Sequence, residues 1–422
     1  MRYAICNVRI TKIPQDGGWR KNMNGLRFTA NKEHGADSIY TEKFTFEKAL
    51  LTKKFHAGLE GYQETPLASL DGLARYVGVQ KIWVKDESYR FGLNAFKALG
   101  GSYAVCSSLA KRIGRNMDEM SFPELRDEVQ KKLPGLHLVT ATDGNHGKGI
   151  AWIAGRLGLP VDIYMPKGTK KARVKAIEDL GGTVYVTEHY FDETAREAYD
   201  AAKKNDWLLC QDTTTRPDYL EFPLLCMQGY LTMSLEVLEA LGAARPTHIF
   251  IQAGAGSLAG SVIGFFSNVM KDAPACMCTV EAGNSDCVRV TAEAADGRLH
   301  VLTGDISTIM AGLSVGEPCS VGWDVLRSNI NAFISCPDPV TAEGMRVLGN
   351  PIKGDPRVIS GESGAVGLGY VYEVLTNPEL SEQKKMLGLN ENSRILCFST
   401  EGDTDPDGYR SIVWDGAYPV QR

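Results

Sequence analysis

Short apolar segments alternate with longer amphipathic segments from Lys81 onward, and this alternation constrains the fold more than any other feature of the sequence. The apolar segments predict strands at residues 82–84, 136–140, 161–165, 183–186, 207–210, 248–252, 276–280 and 394–399. The segments between them predict helices at residues 94–112, 147–157, 172–180, 193–204, 222–241 and 257–270. Strands that alternate with helices favour parallel sheets covered on both faces. We therefore expect an α/β fold with mostly parallel sheets flanked by helices.

Length, charge and composition narrow the classes of function. A chain of 422 residues is long enough for two or three domains. The formal net charge of −5 gives no long-range attraction for nucleic acid or for an anionic membrane surface. The seven histidines form no metal-binding motif, so we expect no metal site. The ten cysteines are scattered, and the N-terminal residues lack a signal-peptide pattern, which predicts buried thiols in a cytoplasmic protein.

Two segments admit more than one interpretation. Residues 249–270 carry no charge and are long enough to span a bilayer, but their glycines favour a buried strand, a turn and a buried helix. We therefore expect no membrane span. Residues 1–60 are polar and irregular apart from a few aromatic residues, and they predict an extension that wraps the protein or contributes to a subunit contact.

The first loop with chemical interest runs from Lys85 to Lys97. A strand ends in charged residues, a glycine turn follows, and Asn94 is a candidate N-cap of the next helix. Lys97 then lies in the first turn, where the positive helix terminus and apolar neighbours disfavour an ammonium. A neutral lysine is the nucleophile that Schiff-base chemistry requires. The alternative for this loop alone is an ordinary surface lysine.

The second loop, residues 141–147, follows a predicted strand and opens a helix. The main-chain N–H groups at the helix start, with the side chains of Thr142 and Asn145, can bind a carboxylate. The alternative is a capped turn in which Asp143 faces water. That alternative does not account for the dense grouping of polar side chains.

The third loop, residues 252–260, leads from a strand into a helix across glycines, where the backbone can approach a phosphate closely. The spacing of Gly254, Gly256 and Ala259 also fits a relaxed dinucleotide-binding motif, and Glu281 ends the next strand where an acid would bind a ribose. A nicotinamide cofactor is therefore an alternative. The late position of the motif counts against it, and a dinucleotide site leaves the first two loops unexplained.

Together the three loops resemble those of the tryptophan-synthase-like, or fold type II, pyridoxal-phosphate enzymes. In that family a lysine on an early helix binds the cofactor, an asparagine loop binds the substrate carboxylate and the ring oxygen, and a glycine-rich loop binds the phosphate. The resemblance implies that Lys97 holds pyridoxal 5'-phosphate. The implied further cofactor contacts are Asn145, Gly254, Ala255, Gly256, Ser257, Leu258 and Ala259, and the implied substrate contacts are Thr142, Asp143, Asn145 and His146.

Ser399 and Thr400 follow the last predicted strand, and either one resembles the family's hydroxyl contact to the pyridine nitrogen. The alternative is a capped turn. A neutral hydroxyl leaves the ring nitrogen less positive than a carboxylate does, which suits elimination better than transamination.

Five segments narrow the resemblance to the diaminopropionate ammonia-lyases: DESYRFGLNAFKALGG, ATDGNHGKGIAW, IMAGLSVGEP, ISGESGAVGLG and FSTEGDTD. The resemblance runs from about Tyr62 to about Gly416. Dehydratases of this fold usually have a small residue where Asp143 stands, so the aspartate indicates a diamino substrate. The resemblance also makes Asp212 a second active-site acid, although a helix-capping aspartate is an equal alternative.

The resemblance implies a large cofactor domain, residues 1–97 plus 207–422, and a small domain, residues 98–206, that carries the asparagine loop. It also implies a homodimer. The expected reaction is β-elimination of ammonia from D- and L-2,3-diaminopropionate, giving pyruvate and two molecules of ammonia. In this scheme Lys97 is the base for the L isomer, and Asp143 is the base for the D isomer or holds the distal ammonium. The alternatives are a threonine or serine dehydratase, another β-eliminating lyase of this fold, or a non-catalytic protein that binds an amino acid.

Overall fold

The computed structural model describes residues 10–14 and 25–420, and every structural statement below refers to these residues. The strands are β1 (Ile10–Pro14), β2 (Arg27–Ala30), β3 (Leu67–Ser69), β4 (Lys81–Asp86), β5 (Leu138–Ala141), β6 (Val161–Met165), β7 (Thr183–Val186), β8 (Leu208–Leu209), β9 (His248–Gln252), β10 (Cys276–Ala282), β11 (Leu299–Thr303), β12 (Ala332–Cys336) and β13 (Arg394–Ser399).

The helices are α1 (Phe46–Ala57), α2 (Asp71–Val77), α3 (Lys97–Arg112), α4 (Phe122–Lys132), α5 (Asn145–Leu157), α6 (Lys171–Glu178), α7 (Phe191–Asn205), α8 (Glu221–Gly229), α9 (Leu231–Leu241), α10 (Ser257–Val269), α11 (Cys287–Ala294), α12 (Ser320–Asn329), α13 (Asp338–Gly349), α14 (Glu362–Thr376), α15 (Ser381–Met386) and α16 (Pro406–Val413).

The strands form two main sheets and one separate pair. The large sheet has seven strands in the order β2-β12-β10-β9-β13-β4-β3. Its five central strands are parallel, and the edge strands β2 and β3 run antiparallel to their neighbours. The small sheet has the order β7-β6-β5-β8 and is parallel throughout. β1 pairs with β11 outside both sheets. The predicted α/β fold with mostly parallel sheets is confirmed.

The central strands of the large sheet are buried because helices cover both faces. In β9, Ile249 and Ile251 belong to the core beneath α10, whereas Phe250 belongs to the core beneath α14. Alternate residues of one strand therefore enter different cores, which is why the strand is apolar throughout rather than alternating with polar residues. The uncharged stretch 249–270 is accounted for by β9, a glycine turn and α10, as predicted. None of the helices in the described ranges combines the length and the apolar composition of a membrane span.

The prediction that residues 1–60 are irregular is wrong for much of the described part. β2 adds an edge strand to the large sheet, and α1 begins where Thr45 Oγ1 accepts a hydrogen bond from the main-chain N–H of Lys48 at 3.2 Å. Phe44 is fully buried against Gly264, where any Cβ would meet its ring. The segment therefore belongs to the core as well as to the surface. Residues 1–9 and 15–24 lie outside the described residues.

All four strands of the small sheet lie between residues 138 and 209. This range overlaps the small domain expected at residues 98–206, and the domain boundaries themselves stay a prediction. The predicted helix 222–241 is instead two helices, α8 and α9, with Tyr230 between them.

Candidate active site

A cavity lies where the strand-to-helix loops of both sheets meet, and it encloses about 850 Å³ of space between atoms, including its open mouth. Its lining includes Lys97, Thr142, Asp143, Asn145, His146, Asp212, Gly254, Ala255, Gly256, Ser257, Leu258 and Thr400. Residues from five segments far apart in the sequence are thus brought together. Two other predicted residues, Ala259 and Ser399, are buried behind this wall.

Lys97 lies in the first turn of α3, as predicted, although the helix begins at Lys97 itself rather than at Asn94. Its ammonium forms an ion pair with the Asp212 carboxylate. Burial alone would lower the pKa of Lys97, but Asp212 and, more weakly, Asp143 hold this pKa above its usual value. The expectation of a neutral lysine is therefore wrong for the cofactor-free protein. Asn94 is not the N-cap of α3. It adopts a left-handed conformation with φ +58°, and its Nδ2 donates to Asp403 at 3.2 Å.

Asp212 is buried, and burial alone would raise its pKa, but His146 and Lys97 hold this pKa at about 2. It is therefore a carboxylate at neutral pH. Nε2 of His146 donates to the main-chain oxygen of Cys210 at 2.6 Å, and its Nδ1 lies 3.6 Å from Asp212. Burial lowers the pKa of His146, so the ring is neutral at neutral pH.

The asparagine loop is organised by Thr142. Its Oγ1 accepts hydrogen bonds from the main-chain N–H groups of Gly144 at 2.9 Å and of Gly147 at 3.0 Å, so Thr142 fixes the start of α5. Asn145 Nδ2 donates to Glu401 at 2.6 Å, which links the small sheet's loop to the segment after β13. Burial raises the pKa of Asp143, whereas the pKa of Asp212 is lowered, so the two carboxyl groups are held in different ways.

The glycine loop has the backbone geometry of an anion site. Gly256 has φ +93°, a conformation that favours glycine, and it precedes the first residue of α10. The first N–H groups of a helix have no partner within the helix and attract negative charge. A Cβ on Gly254 would lie 3.2 Å from Leu313 Cα, so the loop packs closely against its neighbour. These features fit a phosphate.

The dinucleotide alternative required Glu281 to face a ribose. The carboxylate of Glu281 instead accepts hydrogen bonds from the main-chain N–H groups of Val288 and Arg289, both at 2.9 Å. Glu281 is fully buried and caps the start of α11. The structure therefore gives no support to a nicotinamide cofactor at this loop.

The cavity is also lined by Thr400, whose hydroxyl can donate a hydrogen bond to the nitrogen of a heterocyclic ring. Gln252 Nε2 donates to Thr400 Oγ1 at 2.9 Å, which leaves the Thr400 hydroxyl proton to be donated elsewhere. Ser399 Oγ, in contrast, bonds to Ser360 Oγ at 2.8 Å. Gln252 Oε1 is buried, and no partner for it exists among residues 10–14 and 25–420. A hydroxyl donor, an unpaired amide oxygen, a lysine and a phosphate loop around one cavity fit pyridoxal phosphate.

Sequence reasoning missed Gln252 and Glu401 as cavity residues. Gln252 opens the third loop, but as the last residue of a buried strand it gave no sign that its own side chain lines the cavity. Glu401 accepts from Asn145 and from the main-chain N–H of Ser363 at 3.1 Å. It stands in the FSTEGDTD segment, whose unusual density of polar residues was the available signal.

Comparisons with known proteins agree with this geometry. The family model of the pyridoxal-phosphate dependent enzymes matches residues 59–390. The diaminopropionate ammonia-lyase of Escherichia coli K12 is 44% identical over 89% of this chain and 94% of its own length.

Two crystal structures of the Escherichia coli diaminopropionate ammonia lyase have the same fold. One is a complex with an aminoacrylate-PLP azomethine reaction intermediate and has a TM-score of 0.85. The other is a complex with D-serine and has a TM-score of 0.86. Each is 41% identical and covers 94% of this chain and 98% of its own. The chain therefore belongs to the diaminopropionate ammonia-lyase family of pyridoxal-phosphate-dependent enzymes.

Proposed function

We propose that the protein is a pyridoxal-phosphate-dependent lyase that eliminates ammonia from 2,3-diaminopropionate and gives pyruvate and two molecules of ammonia. The observation that carries the proposal is the position of two carboxylates, Asp212 and Asp143, around the ammonium of Lys97 in one cavity. A diamino acid carries a second ammonium that such carboxylates can bind. Serine and threonine carry none.

The residues that would hold the cofactor are Lys97 for its aldehyde carbon, the 254–258 loop for its phosphate and Thr400 for its ring nitrogen. When bound, pyridoxal phosphate supplies an electron-withdrawing ring that makes the Cα–H bond of an attached amino acid acidic. The start of α5, with Asn145, offers hydrogen-bond donors for the substrate carboxylate. Together these contacts orient the Cα–H bond within the cavity.

Proton transfer falls to Lys97 and Asp143. A base accepts the Cα proton, the electron pair moves into the Cα–Cβ bond, and the Cβ–N bond breaks. The distal group leaves as neutral ammonia if it starts as an ammonium, so the protein need not supply a proton to it. Asp212, which pairs with an ammonium in the cofactor-free cavity, can pair with this group and keep it protonated. The released enamine then takes up water and yields pyruvate and the second ammonia.

We further propose that the two bases serve different isomers. Lys97 and Asp143 line one cavity from different elements, α3 and the β5–α5 turn. If they face opposite sides of the substrate, Lys97 accepts the proton of the L isomer and Asp143 that of the D isomer. The D-serine complex of the Escherichia coli relative supports access of a D-amino acid to a site of this fold.

The main alternative is a threonine or serine dehydratase of the same fold. The Asp143 carboxylate lies beside the loop that would bind the substrate carboxylate. Two negative charges in a buried site repel each other unless the substrate also carries a positive charge. Asp143 therefore disfavours serine and threonine, and the 44% identity to a diaminopropionate ammonia-lyase favours the diamino substrate.

The decisive experiment measures ammonia and pyruvate release from each isomer of 2,3-diaminopropionate, beside serine and threonine. The purified protein should be yellow, and Lys97→Ala should lose the visible band. A borohydride-reducible adduct on another lysine in that variant would contradict the assignment of Lys97. Faster turnover of threonine than of diaminopropionate would favour the dehydratase.

We also propose a cytoplasmic homodimer. The nine described cysteines are free thiols, which fits a reducing compartment. Phe46 and Leu50, one turn apart on α1, are 40% and 45% exposed, and apolar side chains in such a position fit a subunit contact.

A further inference from the structure

Arg173 of α6 lies across the turn that carries Asp143. Its Nη1 donates to the main-chain oxygen of Asp143 at 3.3 Å. Its side-chain carbons cover Gly144, where an added Cβ would lie 3.4 Å from Arg173 Cδ. Gly144 has φ +152°, so the turn leaves this space for the arginine. A residue outside the asparagine loop thus holds the loop in place.

Arg173 also lines a second cavity that adjoins the first. Asp143, Asn145, Gly312 and Glu401 line both cavities, and Arg173 lines the second one. Arg173 is not among the residues that line the first cavity. It can act on Asp143 without occupying the space that the cofactor and substrate need.

We propose that Arg173 is a positioning residue that fixes the Asp143 turn and keeps the Asp143 carboxylate ionised, so that Asp143 can accept the Cα proton of one isomer. The inference rests on the proposed function and deepens it, because it makes the use of one isomer depend on a residue that need not touch the substrate.

The charges around Asp143 support this role. Burial raises the pKa of Asp143, and Arg173 is the strongest of the groups that oppose this rise, ahead of Lys97. Glu401 acts in the opposite direction, and the neighbouring His146 is neutral. Lys97 changes its bonding when the cofactor binds, whereas a guanidinium keeps its charge throughout. Arg173 therefore stays positively charged beside Asp143 both before and after the cofactor binds.

The test is the pH dependence of kcat/KM for each isomer, measured on the holoenzyme of wild type, Arg173→Gln and Arg173→Lys. Loss of the positive charge should raise the pKa of Asp143, so a higher pH is needed to ionise it. For the D isomer, Arg173→Gln should move the acidic limb of the profile upward by roughly one pH unit. Activity should return at high pH, and Arg173→Lys should retain most of the wild-type profile.

The L isomer and a neighbouring lysine serve as controls. The L profile should not shift, because Lys97 is its base, and the visible cofactor band should stay unchanged. Lys171→Gln removes one positive charge from the exposed side of the same helix and should leave both profiles unchanged. Equal losses on both isomers at every pH, with an active wild type, would overturn the role of Arg173 alone. A wild type inactive on both isomers would overturn the proposed function as well.

Discussion

The side chain of Lys97 is a protonated ammonium in the cofactor-free protein, because it pairs with the Asp212 carboxylate. It must lose a proton before its nitrogen can bond to an aldehyde. The residues next to Lys97 predict a neutral amine, but its partner stands 115 positions further along the chain. Local sequence shows the helix start and the apolar neighbours. It does not show a carboxylate that only the fold brings near.

Asp212→Asn should therefore speed the capture of pyridoxal phosphate by the apoprotein at neutral pH. Without the carboxylate the pKa of Lys97 falls, so more of the lysine is neutral at pH 7. The difference from wild type should shrink as the pH rises toward the raised pKa of wild-type Lys97, because that amine then also loses its proton. Stopped-flow absorbance of the visible band measures both rates. Equal capture rates at pH 7 would show that Asp212 does not control the protonation of Lys97.

Asp143→Asn should lose activity on D-2,3-diaminopropionate far more than on the L isomer. Removal of a positioned general base costs about 10²–10⁴-fold in rate. The cofactor band should persist, because Asp143 lies in the substrate loop rather than at Lys97 or the glycine loop. Coupled detection of pyruvate gives kcat for each isomer. Small and equal losses on both isomers would mean that Asp143 only shapes the turn.

At the scale of elements, the bounds of four strands could be predicted from the sequence. β6, β7, β9 and β13 match the predicted ranges, because each is a short and largely apolar run between predicted helices or turns. The edge strands β2 and β3 were missed, since their side chains do not form a continuous buried run. Whether such segments pair depends on the neighbouring strand, which sequence pattern does not show.

The loop from β9 to α10 predicts a specific sensitivity to side chains. Gly256→Leu should weaken the binding of pyridoxal phosphate, because a Cβ there already lies 3.0 Å from Leu326 and the residue has φ +93°. Gly114→Leu is the matched control: it has φ +74° and no atom within 4 Å of its Cβ position, away from the cavity lining. Fluorescence titration of both apoproteins measures affinity. Unchanged affinity in Gly256→Leu, or binding of NAD by the wild-type apoprotein, would contradict a phosphate site here.

On the scale of the whole molecule, the site exists only where the two sheets meet. Glu401 follows a strand of the large sheet and accepts from Asn145 at the start of a helix beside the small sheet. The sequence predicted which loops take part and the family to which they belong. It did not predict this contact, because the two residues are 256 positions apart.

The proposed homodimer gives a prediction at the same scale. Phe46→Glu combined with Leu50→Glu should shift the protein toward half the native mass, because charges on α1 would be buried in the contact. Light scattering after size exclusion measures the mass. Tyr76→Glu, at a side chain 67% exposed on α2, should not change it. A monomeric wild type would contradict the proposed homodimer. An unchanged mass of the double variant would mean that the subunit contact does not involve this face of α1.

The position of β13 has a consequence for the order in which the protein is made. This strand, close to the C-terminus, lies between β9 and β4 in the middle of the large sheet. The ribosome makes β4 and β9 first, yet they cannot reach their final spacing until β13 has emerged and inserted between them. A nascent chain that ends before Arg394 therefore lacks both the sheet centre and Thr400. Maturation of the site must then wait until residues 394–400 have left the ribosome, so cofactor capture comes long after β4 and β9 have been made.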